Sequence, residues 1–245
     1  MTRSGPRLFV VTPYYTEPLS ELRDNHESVL SQVVPVRHIM VADGHPRPEI
    51  DGWDCDHITL PNHGDWGDTP RAIGGLSAFT RGAEGLCWLD ADNWLREDHV
   101  ARMEDMARQT GAPVITASRT IHRVDGSLMY PDPESDGEQH VDLNCYYLRG
   151  KALRLIPYFA VKPAPLSWAF DRLLLQMIKA RGLQRAHVKK PTVCYRTRYA
   201  VHYRVLGETP PPDAKENRGT EERAWWEAQP AEVQAEWRRY LNRGF

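Results

Sequence analysis

Short runs of β-branched and aromatic residues alternate, through the first half of the chain, with stretches whose apolar residues recur at helical spacing. Arg7–Thr12 (RLFVVT) is an apolar run stopped by Pro13, the pattern of a buried strand entering a loop. Between Glu17 and Gln32, the positions Leu19, Leu22, His26, Val29 and Leu30 predict a helix. Val36–Ala42 predicts a second strand, ended by the turn signal Asp43-Gly44-His45-Pro46, and Asp56–Leu60 alternates like a third. Residues 67–83 predict a helix started at Thr69-Pro70, because a proline in the first turn gives up no intrahelical hydrogen bond. Leu86–Leu89 reads as a short buried strand and Arg96–Gln109 as a helix with Val100, Met103, Met106 and Ala107 on one face. Pro113–Ser118 reads as a further strand. Strands alternating with helices imply βαβ units and a mostly parallel sheet flanked by helices, an α/β fold.

Beyond residue 118 the pattern is less regular. Thr120–Met129 predicts a hairpin turning at Asp125-Gly126, and Asp132–Gly137 a polar surface loop. Leu143–Leu148 reads as a strand, Gly150–Ile156 as a short helix and Pro157–Pro165 as an irregular loop. Ser167 is placed to cap a helix carrying Phe170, Leu173, Leu174, Met177 and Ile178, ended by Gly182. Val193–Tyr195 and Tyr199–Val205 are strand-like. Gly207–Gly219 reads as a Pro-rich linker or lid, and Thr220–Leu241 as a helical segment interrupted at Pro230.

Composition narrows the class. With 245 residues, 41% hydrophobic, the chain has ample apolar surface for a core, and 31 basic against 33 acidic residues leave a net charge of −2. General disorder is excluded, and a nucleic-acid binder would carry a basic excess. No apolar run approaches the roughly 20 residues of a membrane span, and Met1–Pro6 lacks the apolar segment of a signal peptide. The expectation is a cytoplasmic protein, with the Trp225-Trp226…Trp237 tail available for packing, a homodimer contact or peripheral contact at a membrane. Cys55, Cys87, Cys145 and Cys194 are scattered, without a Cys-x-x-Cys pair, and read as small hydrophobes.

Ligands of open parallel sheets bind beyond the carboxyl ends of the strands. Three such ends carry polar groups suited to a nucleotide: Thr12-Pro13-Tyr14-Tyr15, Asp43-Gly44 and Asp90-Ala91-Asp92. Two carboxylates two residues apart on a loop leaving a strand can share a hard divalent cation and its diphosphate. The same residues also suit a turn in which Asp and Asn bond their own backbone.

Taken in order, these motifs resemble the family 2 glycosyltransferases of the GT-A fold. Leu89-Asp90-Ala91-Asp92 resembles the family's "LDxD", Ser28-Val29-Leu30-Ser31-Gln32 its "S-(I/V)-L-x-Q", Met40-Val41-Ala42-Asp43-Gly44 its "VDDGS", and Thr69–Gly74 occupies the place of "ARNxG". Asp171–Gly182 resembles the helix after the family's "ED" carboxylate, so the likeness spans about residues 7–205. The chain departs from the pattern at Ala42, at Pro70-Arg71-Ala72 and at Phe170, which stands where the family has Glu.

The resemblance implies a GT-A-like domain over residues 1–206, with a nucleotide-binding half (7–118) and an acceptor or catalytic half (119–206), followed by a helical C-terminal extension (207–245). It implies metal-dependent, inverting transfer of a sugar from a nucleotide sugar, by default UDP-linked, to a hydroxyl on a carbohydrate, lipid-linked or small-molecule acceptor. Thr12, Pro13 and Tyr14 would wall the base pocket, Asp43 would bond base or ribose, and Arg71 would reach base or diphosphate. Asp92 would ligate Mn²⁺ or Mg²⁺, with Asp90 on ribose or metal and His202 as a further ligand. Asp171 would be the general base and Trp168 would stack on the acceptor. Each has a plainer alternative: Asp43 as an Asp-Gly turn, His202 as a core histidine, Asp171 as a first-turn residue favoured by the helix dipole. Asp65 and Asp68 read most simply as caps of the following helix. A nucleotidyltransferase, or a non-catalytic nucleotide- or sugar-binding protein of the same fold, are the rival functions.

Overall fold

A computed structural model describes residues 7–216 and 220–242. The first half builds β1 (Leu8–Tyr14), α1 (Leu19–Leu30), β2 (Arg37–Asp43), β3 (Asp56–Leu60), α2 (Asp68–Thr80), β4 (Gly85–Trp88), β5 (Trp94–Leu95) and α3 (His99–Thr110). The second half adds β6 (Val114–His122), β7 (Leu128–Pro131), β8 (Tyr146–Arg149), α4 (Tyr158–Val161), α5 (Phe170–Ala180), β9 (Arg185–Arg196), α6 (Ala200–Val205), α7 (Thr220–Glu227) and α8 (Ala231–Asn242). Among these residues one nine-stranded sheet runs β3-β2-β1-β4-β8-β6-β9-β5, with β7 paired to β6. β1 to β4 are mutually parallel, β8 opposes both neighbours, and β9 runs parallel to β6. The sheet is thus mostly parallel by direction and flanked by helices, the α/β architecture expected.

Burial explains the strands. After a half-buried first residue, every position of β1 and β2 is buried, on both faces as in a parallel strand covered by helices, and Val10, Val11, Ile39, Val41 and Trp88 are fully shielded. Helix α2 lies unusually close to them. A Cβ on Gly74 would stand 2.5 Å from Val11 Cγ1, and one on Gly75 would stand 2.8 Å from Ile156 Cγ2. The two glycines therefore set the depth of α2, and with it the position of Arg71 at its first turn.

Several local expectations give way. Tyr199–Val205, expected as a strand, turns into α6, because the Thr197 hydroxyl accepts the Tyr199 N–H (3.0 Å) and ends the ladder just after Arg196. Ser167 does not cap α5. It lies in a 3-10 turn, Ala164–Ala169, where its hydroxyl meets Lys162 Nζ at 2.7 Å, and α5 starts at Phe170 without a side-chain cap. Pro157–Pro165 contains the short helix α4, and strand β9 is far longer than its apolar end suggested. Helix α2 begins at Asp68, with the Asp65 carboxylate accepting from Thr69 N (2.9 Å) and Thr69 Oγ1 (2.6 Å), so capping is the role of Asp65. Phe170 is fully buried against Phe159, 4.5 Å between ring centroids. An ionised Glu there would be desolvated, so the departure from "ED" is a core substitution.

The C-terminal helices close one side. Leu241 joins the main core and its carbonyl accepts from Arg181, while Trp226 lies under Arg238 at 5.7 Å. All four cysteines are free, three of them buried. Among the described residues no helix is long and apolar enough to cross a membrane.

Candidate active site

Two adjoining cavities open over the carboxyl ends of the strands. The first, about 500 Å³, lies above β1, β2 and β4 and is lined by Pro13, Tyr15, Asp43, Asp90, Asp92 and Arg198, among others. The second, about 440 Å³, holds Arg119, Asp132, His140, Asp142, Trp168 and Asp171. Trp66, Arg71, Asp90, Tyr195 and Tyr199 line both, so the two are joined at one wall.

In the first cavity the strand ends set the polar groups. Asp43 ends β2 and accepts at Oδ1 from the His63 backbone and ring, both 2.9 Å. Its Oδ2 has no hydrogen-bond partner among the described residues. Of the three expected wall residues, Pro13 and Tyr14 line this cavity and Thr12 does not. Thr12 is fully buried and bonded to Asn25 (3.0 Å) and His38 (2.9 Å), since its position in the strand points it into the core. Tyr14 is only 2% exposed, and its hydroxyl takes the Arg47 N–H (2.9 Å) and meets His57 Nε2 (2.7 Å). Tyr15 presents the open ring instead, 42% exposed and edge-on to His45 at 4.5 Å.

Asp90 and Asp92 differ sharply. Asp90 is held by Arg71 on Oδ1 and by Asn144 on Oδ2 (2.9 Å), so its charge is matched. Among the described residues the cation near Asp92 is Arg198, at 3.7 Å, and its carboxylate faces Asp90, Glu17 and Glu21. Burial first, then these carboxylates, push its pKa up to about 7, against the opposing pull of Arg198. A carboxylate short of positive charge at a cavity wall suits a hard cation that draws its remaining ligands from phosphate oxygens. His202 does not join it. As part of α6 it faces the second cavity, its Nδ1 engaged with Thr197 Oγ1 at 2.5 Å. Among the described residues no group of three His, Cys, Asp or Glu is gathered to hold a metal.

In the second cavity Asp171, in the first turn of α5, has both carboxylate oxygens engaged: Oδ2 by His140 Nε2 (2.7 Å) and Oδ1 by the Arg172 N–H (2.7 Å). The hydrogen bond to Asp171 outweighs burial and raises the His140 pKa. Arg119 spans Asp132 (2.7 Å) and Asp142 (2.5 Å) beneath the Tyr195 ring, 4.4 Å from its centroid. Asp142 in turn binds Asn144 (2.6 Å), which reaches Asp90. A hydrogen-bonded chain Arg119–Asp142–Asn144–Asp90–Arg71 thereby runs from one cavity to the other. Trp66 stands at the shared wall, 47% exposed and held at φ 60°, a left-handed conformation costly for a non-glycine residue. Its carbonyl accepts from Arg71 at 2.8 Å, which fixes that turn.

With this geometry in view, the chain was compared with known proteins. No protein-family model and no curated protein matches it. Solved structures do. S. aureus TarS superposes with a TM-score of 0.59 at 14% identity over 81% of this chain and 38% of that one. TarS 1-349 in complex with UDP-GlcNAc gives 0.58 at 14% identity over 80% and 60%. TarS 1-349 in complex with UDP gives 0.59 at 12% identity over 94% and 78%. The chain shares its fold with TarS. It spans less than two thirds of the TarS chain in the first two of these comparisons.

Sequence reasoning placed Pro13, Tyr14, Asp43, Arg71, Asp90 and Asp92 together at one cavity and Trp168 with Asp171 at the other. It missed His140, Arg119, Asp142, Asn144 and Trp66. Asn144 follows Asp142 in a short turn whose Asx bond (Asp142 Oδ1 to Asn144 N, 2.9 Å) is a readable local signal. A lone His in the 132–142 loop carried none.

Proposed function

We propose that the protein is a glycosyltransferase that moves a sugar from a nucleoside-diphosphate sugar to a hydroxyl acceptor, with inversion at the anomeric carbon. The observation that carries this reading is the junction of the two cavities at Asp90. A cation-seeking carboxylate, Asp92, lies on one side, and a carboxylate suited to proton abstraction, Asp171, on the other. The UDP and UDP-GlcNAc complexes of TarS support a uridine donor.

In this reading the nucleoside lies over Pro13 and Tyr15, with Asp43 Oδ2 accepting from base or ribose. Asp92 holds Mg²⁺ or Mn²⁺, which when bound offsets the charge that develops on the departing diphosphate. Arg71 and Asn144 keep Asp90 from swinging toward Asp92, where the two carboxylates would repel. Trp66 offers its exposed face to the sugar at the shared wall. Asp171 takes the acceptor proton as the acceptor oxygen attacks the anomeric carbon, while the electron pair of the breaking bond leaves with the diphosphate. His140, donating to Asp171, aligns that carboxylate. Trp168 and Arg172 border the acceptor.

Thermal-shift titration with UDP, with and without Mn²⁺, followed by a donor-consumption assay, tests the reading. Metal-assisted nucleotide binding together with sugar transfer or donor hydrolysis is expected. Nucleotide binding without turnover on any acceptor would convert the reading to a binding protein.

A further inference from the structure

A third cavity, about 540 Å³, lies behind Trp168, between α5 and the C-terminal helices α7 and α8. Its volume falls within the roughly 300–1,000 Å³ typical of small-ligand pockets. Leu173 and Met177 of α5, Trp226 of α7 and Leu241 of α8 supply an apolar wall. Three arginines, Arg172, Arg223 and Arg238, and the neutral Gln176 add polar groups, and no carboxylate is among the described lining residues.

The arginines are weakly neutralised. Arg172 stacks on Trp168 (5.9 Å to the ring centroid) and has no carboxylate partner among the described residues. Arg238 sits over Trp226 (5.7 Å) and bonds the neutral Gln234 at 3.3 Å. Arg223 approaches a carboxylate, Glu227, no closer than 3.9 Å. The Trp168 Nε1–H is buried without an acceptor, an unmet donor of the kind a ligand oxygen satisfies. Trp168 and Arg172 also line the cavity of Asp171, so the apolar chamber and the second cavity share a wall.

We propose that this chamber binds one anionic amphiphile, an alkyl chain ending in a phosphate, with the chain between α5 and α8 and the phosphate at Arg172 and Arg238. Apolar walls with three cations and no anion among the described lining residues select against a neutral chain as well as against a free anion. Because Arg172 adjoins Asp171, an alcohol esterified to that phosphate would place its hydroxyl at the acceptor position. That last clause rests on the glycosyltransferase reading, whereas the binding site itself does not.

The test reads tryptophan emission of the full chain, without donor, as dodecyl phosphate is added below its micelle concentration. Saturable binding at least tenfold tighter than that of dodecanol or inorganic phosphate is expected. Arg172→Gln with Arg238→Gln is expected to weaken it at least fivefold, with the unliganded melting temperature checking that the variant folds. Equal affinity for dodecanol, equal affinity for inorganic phosphate, or unchanged binding by a folded double variant would overturn the proposal. Vesicles of phosphatidylcholine with phosphatidic acid separate the sources. Competition by these but not by pure phosphatidylcholine vesicles supports a bilayer lipid, and absence of competition supports a free amphiphile. A protein that binds the probe yet transfers no sugar would remove the glycosyltransferase reading and leave this site in place.

Discussion

The cavity at Asp92 and the cavity at Asp171 share a wall but are made from different kinds of chain. The first is assembled from the ends of three neighbouring parallel strands, so Pro13, Asp43 and Asp90 converge because the sheet register aligns β1 with β2 and β4. The second gathers an irregular loop (His140, Asp142), a helix start (Asp171), a long strand (Tyr195) and a short helix (His202). The electrostatics differ as well. Charge in the second cavity is largely paired within the protein, Arg119 with Asp132 and Asp142, His140 with Asp171, whereas Asp92 is left short of cation. One cavity is prepared for an outside charge, and the other to hold its own groups in position.

The sharpest break of this contrast comes from removing the unmatched carboxylate. Asp92→Ala is expected to lower transfer kcat/KM by 10³ or more, about 4 kcal/mol of transition-state stabilisation. Without metal it should leave the melting temperature unchanged or higher, because repulsion with Asp90, Glu17 and Glu21 is relieved. A clear fall in metal-free stability would contradict the account of Asp92.

Asp171→Asn should cost about 10²–10³ in kcat, the range of a lost general base. UDP affinity, read by calorimetry, should stay within about twofold, since the nucleotide lies in the other cavity. Near-normal turnover would end the base assignment.

Asn144→Ala tests the link between the cavities. It leaves the Asp90 N–H without its acceptor and frees one Asp90 oxygen. At full burial this should cost about 2–3 kcal/mol of stability, measured by urea unfolding, and weaken donor binding and transfer together. Loss of transfer alone would show the cavities to be independent.

His140→Gln is expected to reduce kcat about tenfold and to change the pH profile. The His140 pKa lies above its ordinary value because Asp171 accepts its hydrogen bond. Below that pKa the imidazolium pairs with Asp171 and weakens it as a base, so the wild-type rate should climb as pH rises through it. The variant should lose that limb. The same raised pKa makes the pair's contribution to stability complete below the unfolded value, about 6.5, and lost as pH rises through the folded one. A wild-type stability profile that is flat across this window would argue against the pairing. The smallest effect is expected for Tyr15→Ala, which should weaken UDP binding by about 1 kcal/mol through loss of ring contact, with kcat retained.

How much of this was legible in the sequence follows from the same contrast. Strands β1, β2 and β4 declare themselves because burial on both faces writes them as continuous apolar runs, and a strand end fixes where its next polar residue points. The first cavity was therefore readable to within a residue: Pro13 and Tyr14 line it, Thr12 is buried in the sheet, and Tyr15 adds the more exposed ring. Strand β9 was mostly invisible, since Arg185–Pro191 is charged and its pairing with β6 is interrupted at Ser118. Where β9 ends depends on the Thr197 hydroxyl, so neither α6 nor the direction of His202 followed from apolar pattern. The His140–Asp171 contact joins residues 31 apart in sequence through loops, and no periodicity encodes such a pair.

The place of β8 has a consequence for how the chain reaches this shape. Tyr146–Arg149 is inserted between β4 and β6, antiparallel to both, and the Tyr147 ring packs over Gly85, where a Cβ would lie within 2.5 Å of it. Until residue 149 has been synthesised, β4 has an open edge and the floor beneath Asp90 is missing. Residues 7–118 emerging alone from the ribosome would expose apolar strand edges, so this part of the chain depends on a late segment to become safe from aggregation. Pairings of such long sequence separation also favour slow folding. Truncation at residue 118 is a poor route to an isolated nucleotide-binding fragment.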